Sequence, residues 1–237
     1  MSLLQKILGR DGISQARVAK GGNQWMENRT PGVGDGSHLG SYGFSVVTGT
    51  LAAALAANAV VCSFRWGDAT KIAAITKLRT RFLPLTPFTA ATLTDHTSFD
   101  ALVGRSFSAN HTGGTALTLT TNSFKRRASF SSTAFTDLRV ATTAALAGGT
   151  VTLDPHPMAQ SIRKGNRANP AAATEETIAP AMDGLNIDFD ASGGDHPIIL
   201  VQNEGIVVRN RTVWPAAGTG VLVVELGWSE YATAADY

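Results

Sequence analysis

The segment from Ile198 to Tyr231 constrains the fold more than any other part of the chain, because it carries three β-type runs in close succession with only turn residues between them. Ile198-Ile199-Leu200-Val201 is a short apolar run, Asn203-Glu204-Gly205 has turn chemistry, and Ile206-Val207-Val208 resumes the β-branched pattern. This spacing predicts a hairpin. Beyond Trp214-Pro215-Ala216-Ala217-Gly218, the stretch Gly220 to Trp228 alternates so that Leu222, Val224, Leu226 and Trp228 share one face. A face of that composition must be buried, so Trp228 is expected in the core. No catalytic group lies within these strands, which specify a scaffold.

The same reading extends backwards along the chain. Gly43 to Thr50 and Ala59 to Trp66 read as strands, the second with Val60, Cys62, Phe64 and Trp66 on one face and Val61, Ser63 and Arg65 on the other. From Lys71 to Phe82, Ile72, Ala74, Thr76, Leu78, Thr80 and Phe82 are expected to face one way, and Lys77, Arg79 and Arg81 the other as a basic stripe. Further strands are expected at Leu102 to Ser108, Thr115 to Phe124, Asp137 to Ala141 and Gly149 to Leu153. Turn signals recurring at roughly 8–14 residues point to an all-β chain folded as an antiparallel, jelly-roll-like β-sandwich. Residues 154–197 contain five prolines and little periodicity, which predicts a long excursion over the surface of a body spanning 41–237. With 237 residues and 43% hydrophobic content, that body can fill one large core.

Residues 1–40 read as an extended N-terminal arm. Leu3, Leu4, Ile7 and Leu8 have the spacing of a short amphipathic helix. Within residues 1–30, five cations (Lys6, Arg10, Arg17, Lys20 and Arg29) outnumber the carboxylates of Asp11 and Glu27. The glycine-dense stretch from Gly21 to Gly40 cannot form a helix or strand interior and reads as a tether. Leu3, Leu4, Ile7, Leu8, Arg10 and Arg17, together with the stripe Lys77, Arg79 and Arg81, are the candidate interface residues; Lys125-Arg126-Arg127 is a second basic cluster suited to an acidic protein surface.

The whole chain carries a formal charge of only +2, which argues against a dedicated nucleic-acid binder. Charged residues make up 16%, below the roughly 25% of an average soluble domain, as expected of a surface partly covered by a partner. Cys62 is the lone cysteine, so no intrachain disulfide framework exists. No apolar run approaches the roughly 20 residues that span a bilayer, and no export signal is visible, so no membrane partner is expected.

Candidate chemistry is sparse, and no catalytic residue, metal site or cofactor is expected. Gly32-Val33-Gly34-Asp35-Gly36 lacks the lysine of a phosphate loop, and no G-x-S-x-G occurs. The five histidines form no H-x-x-x-H pair; Asp95-His96 and Asp195-His196 lie beside turn residues. Asn186, Asp188 and Asp190 start like a calcium loop, but Ala191 and Pro197 stand where the glycine and glutamate belong. Those residues fit an edge strand better. Three glycosylation sequons, at Asn28, Asn110 and Asn210, read as chance matches.

Five segments together carry a resemblance: Ser45-Val46-Val47-Thr48-Gly49-Thr50, Val61-Cys62-Ser63-Phe64-Arg65-Trp66-Gly67, His196-Pro197-Ile198-Ile199-Leu200, Asn203-Glu204-Gly205-Ile206-Val207-Val208-Arg209-Asn210 and Glu225-Leu226-Gly227-Trp228-Ser229-Glu230. In this order they resemble virion structural proteins of tailed bacteriophages over roughly residues 43–231. The resemblance implies a non-enzymatic decoration or cement protein on the virion capsid surface, made in the bacterial cytoplasm. It would bind the major capsid protein and self-associate, with a homotrimer favoured. Two alternatives stay open: a tail-associated or receptor/carbohydrate-binding module using aromatics such as Trp25 or Trp214, and a cupin-like metalloenzyme.

Overall fold

The computed structural model describes residues 38–86, 96–119, 124–164, 184–189 and 197–232. The arm residues Leu3, Leu4, Ile7, Leu8, Arg10 and Arg17 lie outside them, as does Trp25. Twelve strands lie among the described residues: β1 (His38–Val47), β2 (Val60–Trp66), β3 (Ile72–Thr86), β4 (His96–Thr112), β5 (Thr115–Ala116), β6 (Phe135–Val140), β7 (Ala147–Leu153), β8 (Ala159–Lys164), β9 (Asn186–Asp188), β10 (Ile198–Leu200), β11 (Gly205–Asn210) and β12 (Thr219–Tyr231). There is no helix among the described residues. The strands pair antiparallel in two sheets packed face to face, an all-β sandwich. A five-stranded sheet runs β1-β12-β3-β10 with β9 also on β3, and a seven-stranded sheet runs β5-β6-β2-β11-β4-β7 with β8 also on β4.

The alternating face of β12 is buried as expected: Leu222, Val224, Leu226 and Trp228 all belong to the main core. The Trp228 indole stacks on Tyr42, with ring centroids 5.4 Å apart, and meets Phe135 of the opposite sheet edge-on at 5.0 Å. Phe44 at 6.0 Å and Phe124 at 6.2 Å complete its surround. At the other end of the sandwich, Phe82, Phe99 and Trp214 form a second aromatic group, with Phe82–Phe99 at 5.5 Å and Phe82–Trp214 at 5.3 Å. From β2, Cys62, Phe64 and Trp66 point into the same core.

Several expectations are corrected. The runs 198–201 and 206–208 do not form a hairpin: β10 pairs with β3, and β11 lies between β2 and β4 in the other sheet. Both flanks of the turn are apolar because each fills a different sheet, so the turn carries the chain across the core. In β3 the alternation breaks at Thr76, which is skipped between the pairs Gly227↔Lys77 and Trp228↔Ile75. This β-bulge exchanges faces: Ala73 and Ile75 join Leu78 in the main core, while Ile72 and Ala74 pack with Tyr231 on the opposite side. Among the described residues of the stretch Thr115 to Phe124, only the two-residue strand β5 is found. The excursion 154–197 includes β8 and β9, which extend the sheet edges at β4 and β3. The β-body begins before residue 41, because β1 starts at His38.

The seven-stranded sheet is strongly curled. Thr112, the last residue of β4, is joined to β5 by Gly113 and Gly114 alone, although three strands separate β4 from β5 in the sheet. Both linking residues have positive φ, 73° and 59°, which favours glycine. Register shifts in β4 between Gly104 and Ser106 and between Phe107 and Ala109 provide the bending.

Truncating Trp228 removes the ring that joins the two sheets. Trp228→Ala is expected to lose about 3–5 kcal/mol of stability, measured by chemical denaturation; an unchanged midpoint would show that the aromatic cluster does not hold the sandwich together.

Candidate functional site

The outer face of the five-stranded sheet gathers the basic stripe and much of the exposed apolar surface. Its side chains lie in rows across β1, β12 and β3, set by the register: Gly43–Gly227–Lys77, then Ser45–Glu225–Arg79, then Val47–Val223–Arg81. Val221 opposite Leu83 follows. Val47 is 52% exposed and Leu83 56% exposed, so this end of the face is an open apolar band beside the cations. Lys77, Arg79 and Arg81 therefore share one face as their alternation requires.

Opposite charges are threaded through the stripe. Lys77 Nζ donates to Glu225 Oε2 at 2.7 Å. Arg79 Nε donates to Asn186 Oδ1 at 2.9 Å, and its Nη2 pairs with Asp188. Asn186 and Asp188 are thus the polar face of edge strand β9, as their sequence pattern suggests, and they clamp it to β3. The hydrogen bond from Lys77 holds the Glu225 carboxyl below its ordinary value against the opposing effect of desolvation, and Arg81 and Arg79 pull the same way. Arg81 is exposed and has no ion-pair partner among the described residues.

The second basic cluster reaches this face as well. Gly43 N–H donates to the Phe124 carbonyl at 2.9 Å and Arg126 N–H to the Ser41 carbonyl at 3.0 Å, so residues 124–126 run along the edge of β1. The Arg126 guanidinium then lies over Gly43 and Gly227: Nη2 is 3.1 Å and 3.2 Å from where their Cβ atoms would be. Two facing glycines leave a shallow trough of about 300 Å³, lined by Gly43, Phe44, Ser45, Lys77, Arg126, Glu225 and Leu226. The glycine pair, Glu225 and the valine row were not singled out in the sequence as site residues. Alternation along Gly220–Trp228 assigns Val221, Val223, Glu225 and Gly227 to the outer side, but only cross-strand register sets Gly43 beside Gly227.

A second polar cluster sits inside the curl of the seven-stranded sheet. His111 Nδ1 and Ser63 Oγ are hydrogen-bonded at 2.8 Å, and Arg65 donates to Asn110 and Asn203, both at 2.7 Å. Asp137 faces Arg139, whose Nη1 donates to the Gly113 carbonyl at 2.8 Å. Ser63 is 1% exposed and His111 4% exposed, so the cluster fastens the end of β4 onto β2 and presents no open nucleophile. Gly149 is needed there, with φ at 77° and a Cβ position 2.7 Å from the His111 ring. Burial pushes the His111 imidazole below its ordinary pKa, with Arg139 acting the same way and Asp137 against it.

The other candidates are accounted for in the fold. Trp214 is 1% exposed in the second aromatic group and offers no face to a sugar. Asn210 is fully buried, its Nδ2 donating to the Ala56 carbonyl at 2.9 Å, and is closed to glycosylation. Cys62 is buried, which pushes its thiol pKa up. No group of three or more His, Cys, Asp or Glu side chains suited to a metal ion occurs among the described residues. His196, Asp190 and Asp195 lie outside the described residues. No family model, curated protein or solved structure matches the chain.

Two buried ionisable groups make stability depend on pH in opposite senses. Glu230 is fully buried in the core, accepting hydrogen bonds from Thr133 Oγ1 at 2.6 Å, Trp228 Nε1 at 3.0 Å and Ala134 N at 3.1 Å. Desolvation raises its pKa above the ordinary 4.5 despite those donors. The folded state therefore holds this proton more tightly, and the associated stability is present below pH 4.5 and lost as pH rises through the raised pKa. Glu230→Gln should remove this loss, so that its stability relative to the parent increases between acidic and neutral pH. His111, with a depressed pKa, contributes stability above pH 6.5 that is lost as pH falls through the folded value. His111→Gln should flatten that acid limb. Denaturation midpoints of the parent and both variants across pH 4–8 check the two signs separately.

Proposed function

We propose that this chain is a non-enzymatic virion structural protein of a tailed bacteriophage, a decoration or cement protein that binds the major capsid protein through the outer face of its five-stranded sheet. One observation supports the reading above others: a rigid sheet face carries exposed cations next to an exposed apolar band, Arg81 beside Val47, Val223 and Leu83. Cementing a lattice needs no chemical step. It needs a stiff body that engages many equivalent sites, with apolar surface for affinity and charge for orientation. Self-association around a local symmetry axis, as a trimer, would multiply weak contacts into tight attachment.

The arm, which precedes β1 at His38, is assigned the second contact. A helix over Leu3, Leu4, Ile7 and Leu8, as their spacing predicts, would be too short to be stable alone in water, so they would order against a neighbouring subunit or the capsid protein, with Arg10 and Arg17 beside them.

Cosedimentation with phage heads lacking the protein tests the assignment. The full chain is expected to bind saturably and to slow head disruption by heat. A chain lacking residues 1–37 should retain the melting temperature of the β-body and bind heads more weakly. Failure of the full chain to bind, or its localisation to the tail by electron microscopy, would overturn the head assignment.

A further inference from the structure

The trough on the outer face has a chemistry more specific than a general basic surface. Of the four cations on this face, Lys77 is engaged by Glu225 and Arg79 by Asp188 and Asn186. Arg126 and Arg81 are exposed, and neither has an ion pair among the described residues. Arg126 lies over the Gly43–Gly227 row, whereas Arg81 stands in the Val47–Val223 row. Four residues of β12 separate Gly227 from Val223, a distance of about 13 Å at the rise of an extended strand. Glu225 lies between them on the same face.

We infer that this face seats an extended acidic segment of a partner protein, with one carboxylate on Arg126 in the trough, a second four residues away on Arg81, and an uncharged side chain between them over Glu225. The inference rests on the reading of this face as the docking surface. In an extended chain, residues i, i+2 and i+4 point to one side and i+4 lies about 13 Å from i, which matches the separation along β12 of the two rows that hold the free cations. The two facing glycines project no side chain of their own, so the Arg126 guanidinium lies low over that row, where it can meet the segment's carboxylate. Glu225 also argues against a nucleic-acid strand, which carries a charge on every nucleotide and would set a phosphate against that carboxylate. Flanking aliphatic side chains of the segment would rest on Val47, Val223 and Leu83.

The test is an NMR titration of the arginine Nε–H resonances of the full chain with capped heptapeptides. Thr-Glu-Val-Thr-Val-Glu-Thr should shift both Arg81 and Arg126, and added salt should weaken it. Thr-Glu-Val-Val-Glu-Thr-Thr, whose carboxylates point to opposite sides, should bind roughly tenfold more weakly. Arg81→Glu and Arg126→Glu should each lose the interaction with an unchanged melting temperature. Gly227→Val keeps every charge but fills the trough, and it too should lose binding. Equal affinity for the two peptides, absence of binding, an unaffected Gly227→Val protein, or tighter binding of a thymidine oligonucleotide would each overturn the inference. Cosedimentation of Arg126→Glu with heads separates the two proposals: a protein that still binds heads but not the peptide would remove the acidic-segment seat and leave the docking function standing.

Discussion

The sandwich depends on the burial of Trp228 between two sheets. Its ring stacks on Tyr42 within its own sheet and meets Phe135 from the opposite one, so a single side chain fills the gap that both sheets must close. The indole N–H cannot be left dry, and Glu230 two residues along β12 accepts it at 3.0 Å. The same carboxylate takes the Thr133 hydroxyl and the Ala134 N–H, which fixes the segment leading into β6 and hence Phe135. Hydrophobic packing therefore sets where the sheets meet, and a buried acid determines how the crossing chain is held. Tyr42 adds a further tie through its hydroxyl, which donates to the Ser131 carbonyl at 2.8 Å.

A second constraint shapes the seven-stranded sheet. Its two-glycine link from β4 to β5 is too short to span a flat sheet of this order, so the sheet has to roll. Rolling brings Asn110 and His111 onto Arg65 and Ser63, turning polar residues inside the curl into a buried hydrogen-bonded lining. An imidazole in that lining loses hydration, which is why its pKa falls even with Asp137 nearby. The five-stranded sheet keeps the Val47–Leu83 end of its outer face open and is the better candidate for a partner. Its chemistry is graded along β12, from Tyr231 and Ser229 through Gly227 and Glu225 to Val223 and Val221. Paired charges hold the stripe in place, while Arg126 and Arg81 remain available.

Period-two alternation determined much of this protein by sequence alone. The all-β class, the inward face of β12, the strand at 60–66 and the common face of Lys77, Arg79 and Arg81 all follow from it, because pleated backbone sends successive side chains to opposite sides. Tertiary structure decided what alternation does not encode. Thr76 carries no bulge signature, yet the extra residue at that point reverses the faces of Ile72 and Ala74 relative to Leu78. Both apolar runs around Asn203 satisfy a hairpin pattern equally well as strands of separate sheets, since pairing partners are chosen by long-range burial rather than by the turn. Nothing local to Gly43 or Gly227 places them opposite each other. Their pairing, with Arg126 laid across them, exists only because β1, β12 and the 124–126 segment are brought into one register by a core made of residues distant in the chain.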